Sequence, residues 1–196
     1  MASPRTTPTK SKLLLGRVKS PIGTILVVCK GEALCALEFA DSKDRMMAAL
    51  RARHGDFSLV ATEDPGGVCT RIGAYLRGEL DALDEIAVDG GGTEFQRKVW
   101  VALRRIAPGE VVSYGALAQR LGIPNAVRAV ARANALNPIS IVVPCHRVIG
   151  SDGSLTGYGG GLPRKRWLLE HEGVVLPPAP SRLTGDRRYR APGPRP

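Results

Sequence analysis

A cysteine and a histidine stand side by side in the stretch Pro-Cys-His-Arg-Val at 144–148, directly after an apolar run at 139–143. Because proline cannot continue a β-ladder, we expect this run to be a strand that ends at Pro144 and turns the sulfur of Cys145 toward a cavity. A neighbouring imidazole or a positive field lowers the pKa of a thiol and makes it a better nucleophile. The pair therefore predicts thiolate chemistry with His146 as the base. The alternative is an ordinary buried cysteine, the commonest fate of a free one.

The positive charge of the chain is confined to the half that carries this cysteine. The net charge is +10, yet residues 1–92 hold 12 basic and 12 acidic side chains, whereas residues 93–176 hold 11 basic and 5 acidic ones. Such a field indicates a polyanionic partner, and nucleic acid is favoured over an acidic membrane because no basic amphipathic stripe appears. The alternative is a charge that serves solubility alone.

Composition excludes several classes of protein. No uncharged apolar run approaches the ~20 residues that span a bilayer, and the N-terminus lacks the apolar segment of a secretory signal. We therefore expect a cytoplasmic protein, nucleoid-associated in a bacterium or nuclear in a eukaryote, with reduced cysteines and no membrane partner. Cys29, Cys35 and His54 could in principle collect a metal, but their spacing matches no zinc pattern. We expect no metal and no cofactor.

The first half of the chain alternates short apolar runs with turn residues and helical patterns, which predicts a small α/β domain at 13–92 after a flexible tail at 1–12. The predicted elements are strands at 13–18, 22–28, 33–39 and 57–60 and helices at 42–53 and 68–77. Three glycines follow Asp89, where the charge balance also changes, so we place a domain boundary there.

The second half, 93–176, reads as a helical domain followed by a disordered basic tail at 177–196. Helices are predicted at 94–106, capped by Thr93, and then at 114–121, 126–136 and 162–172. The short pair at 114–121 and 126–136 is typical of a helix-turn-helix, with Arg128 and Arg132 on the second, recognition helix. A generic three-helix core is the alternative.

Two further segments of this half could contribute to a site. A turn at 151–153 predicts a hairpin of 148–150 with 154–156, which would serve as a wing. The glycines around Tyr158 suit a loop that lies against a flat ligand, with a plain linker as the alternative. A carboxylate of the Glu-His-Glu sequence at 170–172 could orient His146.

The stretch IVVPCHRVIG (141–150) resembles the signature of the O6-alkylguanine-DNA alkyltransferases. The resemblance extends through SYGALA (113–118), RAVARANALNP (128–138), TGYGGGL (156–162) and WLLEHEG (167–173), and more loosely to SPIG (20–23). It implies an α+β protein with a small ribonuclease-H-like N-terminal domain and a C-terminal winged helix-turn-helix domain. It also implies a monomer that binds double-stranded DNA, flips out an alkylated guanine and moves the alkyl group irreversibly from O6 to its own cysteine, with O4-alkylthymine as a further possible substrate.

The same resemblance implies a role for each matching residue. Cys145 would be the acceptor, His146 its base acting through a water, and Glu172 the carboxylate that fixes the imidazole. Tyr114 would help to protonate the leaving guanine, and Asn137 would tie the recognition helix to the active-site turn. The residues implied in DNA binding are Arg128, which would fill the gap left by the flipped base, with Ala126, Ala129, Arg132 and Tyr114. Those implied in the base pocket are Tyr158, Val148, Gly159, Gly160 and Pro144.

Two departures and two rival functions accompany this resemblance. Ala131 stands where the family usually has glycine, and the zinc ligands of some eukaryotic members have no evident counterparts. The first rival is a non-catalytic lesion binder or winged-helix regulator, which the presence of Cys145 disfavours. The second is a cysteine hydrolase, in which the histidine is normally distant in sequence and an oxyanion hole is needed.

Overall fold

The computed structural model of the chain describes residues 10–177, so the tails predicted at 1–12 and 177–196 lie almost wholly outside the described residues. The first strand begins at Ser11, two residues before the predicted start of the domain. Within 10–177 no helix is both long and apolar enough to cross a bilayer.

A four-stranded sheet forms the centre of the N-terminal half. Its strands are β1 (Ser11–Val18), β2 (Ile25–Lys30), β3 (Ala33–Phe39) and β4 (Phe57–Ala61), in the order β3-β2-β1-β4. The first three strands form the predicted antiparallel meander, and β4 pairs with β1 in parallel after a crossover through helix α1 (Lys43–His54).

Both faces of this sheet are covered, which explains why its strands are almost continuously apolar. Alternate residues of β2 point to opposite sides, so Leu26 and Val28 pack with Met46 of α1, whereas Val27 and Cys29 enter a second cluster. That cluster includes helix α2 (Val68–Leu76) and most of the core of the C-terminal half. The two halves therefore share one hydrophobic core.

The C-terminal half is mainly helical, as predicted. It contains α3 (Glu94–Arg104), α4 (Tyr114–Arg120), α5 (Val127–Ala135) and α6 (Leu162–His171). Thr93 caps α3 in a reciprocal capping box with Gln96, in line with the prediction. Helices α4 and α5 are joined by a tight connection in which Gly122 has a φ of 72°. Trp100 of α3 donates to the carbonyl oxygen of Ala133 and so fixes α5 on the core.

The predicted hairpin of 148–150 with 154–156 is wrong. Strand β6 (Val148–Ile149) pairs in parallel with β5 (Val112–Ser113), which the sequence did not predict. The segment 154–156 forms no strand, and a hydrogen bond from the Gly150 amide to the Ser154 carbonyl only closes a turn. The turn residues were recognised correctly, but the partner of the buried Val148 is the more distant apolar Val112.

The predicted strand at 139–143 is also wrong. Ile139 makes one bridge to Leu37 of β3, and the chain then coils, with Ile141 at a φ of 69°. The amides of Val142 and Val143 donate to carbonyls only two and four residues earlier, in place of ladder bonds. Residues 139–143 are buried on all sides between the two halves, and an apolar run of this kind does not by itself specify a strand.

Candidate active site

Cys145 begins a short 3₁₀ turn (Cys145–Arg147) and is only 6% exposed. The side-chain amide of Asn137 donates to its Sγ at 3.2 Å and to the carbonyl oxygen of Val143 at 2.8 Å. The Oδ1 of Asn137 in turn accepts from the amide of Ile139 at 3.0 Å. Asn137 follows α5, so this one side chain connects the end of that helix to the turn that carries the sulfur.

The pKa of the Cys145 thiol is raised, which contradicts the expectation that its neighbours lower it. Burial is the dominant cause, and the hydrogen bond from Asn137 and the positive charge of Lys165 oppose it only in part. The free protein therefore holds a protonated thiol, and activation requires that a base remove the proton. This arrangement limits unwanted reactions of the sulfur with other electrophiles.

His146 is fully buried, and its Nε2 lies 2.9 Å from Oε1 of Glu172. Because an ionised carboxylate only accepts, the Nε2 carries the proton and the Nδ1 keeps its lone pair. The Nδ1 has no hydrogen-bond partner among the described protein atoms. Nδ1 makes no direct hydrogen bond to Cys145, so a proton that passes from the thiol to this nitrogen would need an intervening water.

Glu172 is the centre of a buried ionic cluster and is 4% exposed. Besides His146, it accepts two bonds from Arg147, from Nε to Oε2 at 2.9 Å and from Nη2 to Oε1 at 2.8 Å. Tyr75 adds a bond from its hydroxyl to Oε1 at 2.7 Å. Burial alone would raise the pKa of Glu172, but the donors at His146 and Arg147 outweigh it and hold the pKa well below its usual range.

This cluster predicts a large stability effect for Glu172→Gln. The substitution leaves Arg147, 5% exposed, without its counter-ion, so we expect the free energy of unfolding to fall by about 3–5 kcal/mol in urea titrations. Glu110→Gln is the matched control. In its ion pair the Glu110 side chain is 38% exposed and that of Arg120 is 49% exposed, so the pair contributes no more than about 1 kcal/mol to the free energy of unfolding. Equal losses in the two variants would contradict a dominant role for the buried cluster.

The pH dependence of this stability has a defined sign. The pKa of Glu172 is lower in the folded protein than in the unfolded chain. Ionised Glu172 therefore makes its full contribution to the free energy of unfolding when the pH is above the pKa of the unfolded chain, about 4.3. This contribution is lost as the pH falls toward the pKa of the folded protein. The Glu172→Gln variant should lack this component.

A buried lysine lies on the other side of the cysteine. Lys165 of α6 is fully buried, and its Nζ donates to the carbonyl oxygens of Val148 at 2.5 Å and Thr156 at 2.6 Å. Burial lowers the pKa of Lys165 to about 8, while the neighbouring Cys145 opposes the shift. Lys165 thus connects the strand after the cysteine to the start of the glycine-rich loop, close enough to the sulfur to favour a thiolate.

A cavity of about 240 Å³ opens next to Cys145. Of the residues predicted for the site, Cys145, Asn137, Tyr158 and Gly159 line it. Val148 and Pro144 are instead buried behind the turn, and Gly160 packs against Phe39 and Tyr158. The remaining lining residues are Asn134, Ala135, Ser140, Gly157 and two from the N-terminal half, Glu38 and Arg45.

The glycine-rich loop is held over this cavity by the N-terminal half. Arg45 of α1 donates to Glu38 and, at 3.4 Å, to the carbonyl oxygen of Gly159. Arg164 donates to the carbonyl oxygen of Gly160 and to the Asp41 carboxylate. These bonds position Tyr158, whose ring centroid lies 6.3 Å from that of His146 in an edge arrangement.

Tyr114 begins α4 beside this loop, and its hydroxyl lies 3.6 Å from where a Cβ on Gly157 would be. Burial raises the pKa of the Tyr114 phenol, so it holds its proton at neutral pH and can donate it.

Helix α5 presents the predicted DNA-binding face to solvent. Arg128, Ala129 and Arg132 are exposed, and Ala126 and Ala131 are half-buried, whereas Val130, Ala133 and Asn134 face the core. The exposed side is therefore basic and otherwise formed by small side chains, which allow a close approach to a surface.

Several residues of the site were missed from the sequence. Arg147 lies within the motif at 141–150, and its position two residues after Cys145 was the available signal. Lys165 lies in the helix predicted at 162–172, where a basic residue gave no signal of its own. Tyr75 and Arg45 gave none, because Glu172 and Gly159, which they contact in the site, lie in the other half of the chain. Glu38 gave none, because its place beside the cavity depends on how the two halves pack. Within 10–177 no three His, Cys, Asp or Glu side chains are grouped so that they could hold a metal.

Comparisons with known proteins agree with this geometry. Residues 13–89 match the family model described as the ribonuclease-like domain of 6-O-methylguanine DNA methyltransferase, and residues 94–174 match its DNA-binding domain. The chain belongs to the 6-O-methylguanine DNA methyltransferase family. The resemblance inferred from the sequence is therefore confirmed, together with the predicted pairing of a ribonuclease-like domain with a DNA-binding domain.

Curated and solved members of this methyltransferase family are similar over most of the chain. The methylated-DNA–protein-cysteine methyltransferase of Salmonella typhimurium is 48% identical over 84% of this chain and 98% of that protein. That of Mycolicibacterium paratuberculosis is 47% identical over 79% and 89%. The crystal structure of Mycobacterium tuberculosis OGT in complex with DNA is 40% identical, covers 81% of this chain and 92% of its own, and has a TM-score of 0.69.

Proposed function

We propose that this chain repairs DNA by direct reversal, with stoichiometric and irreversible transfer of an alkyl group from O6 of guanine to Cys145. Its activity is that of a methylated-DNA–protein-cysteine methyltransferase, the name carried by its relatives. The observation that carries the proposal is the placement of Cys145. Its buried sulfur accepts a hydrogen bond from Asn137 and lines an open cavity, and the next residue is a histidine that Glu172 orients. The protein acts as a monomer in the compartment that holds the DNA.

The transfer is a displacement at the alkyl carbon. The proton of Cys145 passes through a water to Nδ1 of His146, Sγ forms a bond to the carbon, and the carbon–O6 bond breaks with its electron pair moving to guanine. Tyr114 supplies a proton to the leaving base. Glu172 holds the imidazole in the tautomer that accepts at Nδ1 and stabilises the imidazolium that forms.

The target atom is inaccessible within a base stack, so the nucleotide must be extruded first. Unstacking and unpairing cost a few kcal/mol, and an inserted side chain offsets part of this cost. Arg128 has the exposure, length and charge for this insertion. Arg132, Ala129 and Ala126 complete the surface that approaches DNA, and Tyr158 and Gly159 border the cavity that receives the base.

The binding-only alternative is disfavoured because a cysteine is present at the acceptor position and is followed by a histidine that Glu172 orients. Intact mass measurement after incubation with an O6-methylguanine duplex tests the proposal. We expect a gain of one methyl group per chain, mapped to Cys145, with no further turnover. A methyl group on Cys29, Cys35 or Cys69 would refute the assignment of the acceptor.

DNA affinity should depend on salt through the basic face of α5. The logarithm of the binding constant falls linearly with the logarithm of the salt concentration, and each phosphate that the protein neutralises makes this slope steeper by about 0.9. Arg132→Ala should therefore weaken binding to any sequence and reduce this slope by about one in fluorescence anisotropy titrations.

Arg77→Ala is the matched control for this titration, because Arg77 is an exposed arginine of the electrically balanced N-terminal half. Its slope should match that of the wild type. A loss of slope in Arg77→Ala but not in Arg132→Ala would place the DNA on a different face.

A further inference from the structure

Tyr75 connects the N-terminal half to the carboxylate that orients His146. It lies on α2, is fully buried, and its hydroxyl donates to Oε1 of Glu172 at 2.7 Å across 97 positions of sequence. No motif of the sequence pointed to this residue, and the transfer mechanism described above does not use it.

The oxygen that Tyr75 contacts is the one that orients His146. Oε1 of Glu172 accepts from Tyr75 at 2.7 Å, from Nη2 of Arg147 at 2.8 Å and from Nε2 of His146 at 2.9 Å. A carboxylate has about four acceptor positions on its two oxygens, so three donors on one oxygen compete for its charge. The more of this charge the other donors take, the less remains to favour an imidazolium at His146.

We propose, on the basis of the function proposed above, that Tyr75 is a positioning residue for alkyl transfer. Its hydroxyl partly neutralises the Glu172 carboxylate. His146 therefore stays unprotonated and can accept the proton of Cys145. A base that is already protonated cannot accept this proton. A buried carboxylate bonded to the histidine alone would favour the protonated form.

The charged and titratable groups around His146 are consistent with this role. Burial lowers the pKa of His146, Glu172 opposes the shift, and Arg147 and Lys165 reinforce it. Tyr158 faces the ring at its edge. The pKa of Tyr75 is itself raised, first by burial and then by Glu172, so the phenol stays a donor over the whole working range of pH.

The position of Glu172 does not depend on Tyr75 alone. Arg147 binds both carboxylate oxygens, so loss of the Tyr75 hydroxyl leaves the carboxylate held in place but less neutralised. His171 of α6 also contacts Tyr75. Its Nε2 lies 2.7 Å from the carbonyl oxygen of Tyr75, and the centroids of the two rings are 5.2 Å apart. His171 makes no hydrogen bond to Glu172.

Tyr75→Phe is the decisive variant, because it removes one hydroxyl and keeps the ring. In single-turnover transfer from an O6-methylguanine duplex, we expect the acid limb of the pH–rate profile to move upward by about one pH unit. The rate at a pH on that limb should fall about tenfold, and the alkaline plateau should stay within about twofold of the wild type. A purely structural role would lower the rate equally at every pH.

His171→Phe is the matched control, since it disturbs the same contact without removing a donor from Glu172. Its acid limb should coincide with that of the wild type. If His171→Phe moves the limb as far as Tyr75→Phe does, or if Tyr75→Phe leaves the limb unmoved, the inference is overturned.

An NMR titration separates this inference from the proposed function. The chain has only three histidines, and His146 can be followed in the unreactive Cys145→Ser background. Adding Tyr75→Phe should raise its titration midpoint by about one pH unit. An unchanged midpoint overturns the role of Tyr75 even if wild-type transfer proceeds, whereas absence of transfer by the wild type overturns the proposed function and with it this role.

Discussion

Cys145→Ser should abolish alkyl transfer both from duplex DNA and from free O6-benzylguanine. The serine hydroxyl is a far weaker acid than a thiol, so the same base cannot ionise it, and its oxygen is a harder nucleophile than sulfur. We therefore expect the single-turnover rate to fall on the order of 10⁴-fold or more. The substitution is almost isosteric within the buried turn, so the fold and the affinity for alkylated DNA should be retained. Peptide mapping and quench-flow kinetics measure the loss.

Cys69→Ala is the control for this experiment. Cys69 lies on α2, where its sulfur faces Gly16 of β1, away from the cavity beside Cys145. Burial raises the pKa of the Cys69 thiol to about 11, so it is a poor nucleophile at neutral pH. Its loss should leave the transfer rate unchanged. Repeated turnovers by Cys145→Ser would identify another acceptor and refute the proposed chemistry.

Arg128→Ala should slow repair of duplex DNA and leave the reaction with free O6-benzylguanine nearly unchanged. Arg128 is exposed on α5, 17 positions before Cys145, and should act on the base stack and not on the sulfur. If its side chain offsets about 2–3 kcal/mol of the cost of extrusion, the single-turnover rate on duplex DNA falls about 30- to 150-fold. The measurement is made at saturating protein, so that weaker binding does not contribute.

Arg132→Ala is the matched control, because Arg132 is exposed on the same helix one turn later. It should weaken binding, yet leave the rate at saturation within about threefold of the wild type, as expected of a phosphate contact. Equal slowing of Arg128→Ala on the free base and on duplex DNA would instead place Arg128 in the support of the active site.

Local patterns in the sequence predicted much of the fold. Thr93 caps α3 as predicted, and the apolar runs of the first half form strands close to their predicted bounds. These features depend on residues a few positions apart, so they can be read without knowledge of the tertiary contacts. The Pro-Cys-His-Arg-Val stretch likewise indicated the family, because its members are adjacent in the chain.

The tertiary structure decided the features that depend on burial and on distant partners. The run at 139–143 coils instead of forming a strand because Asn137 and nearby carbonyls satisfy its amides between the two halves. The thiol of Cys145 has a raised pKa because desolvation outweighs its polar neighbours, and a sequence does not specify how much water a site excludes. Tyr75 reaches Glu172 only because α2 and α6 pack on the same core, and no local pattern encodes a contact across 97 residues.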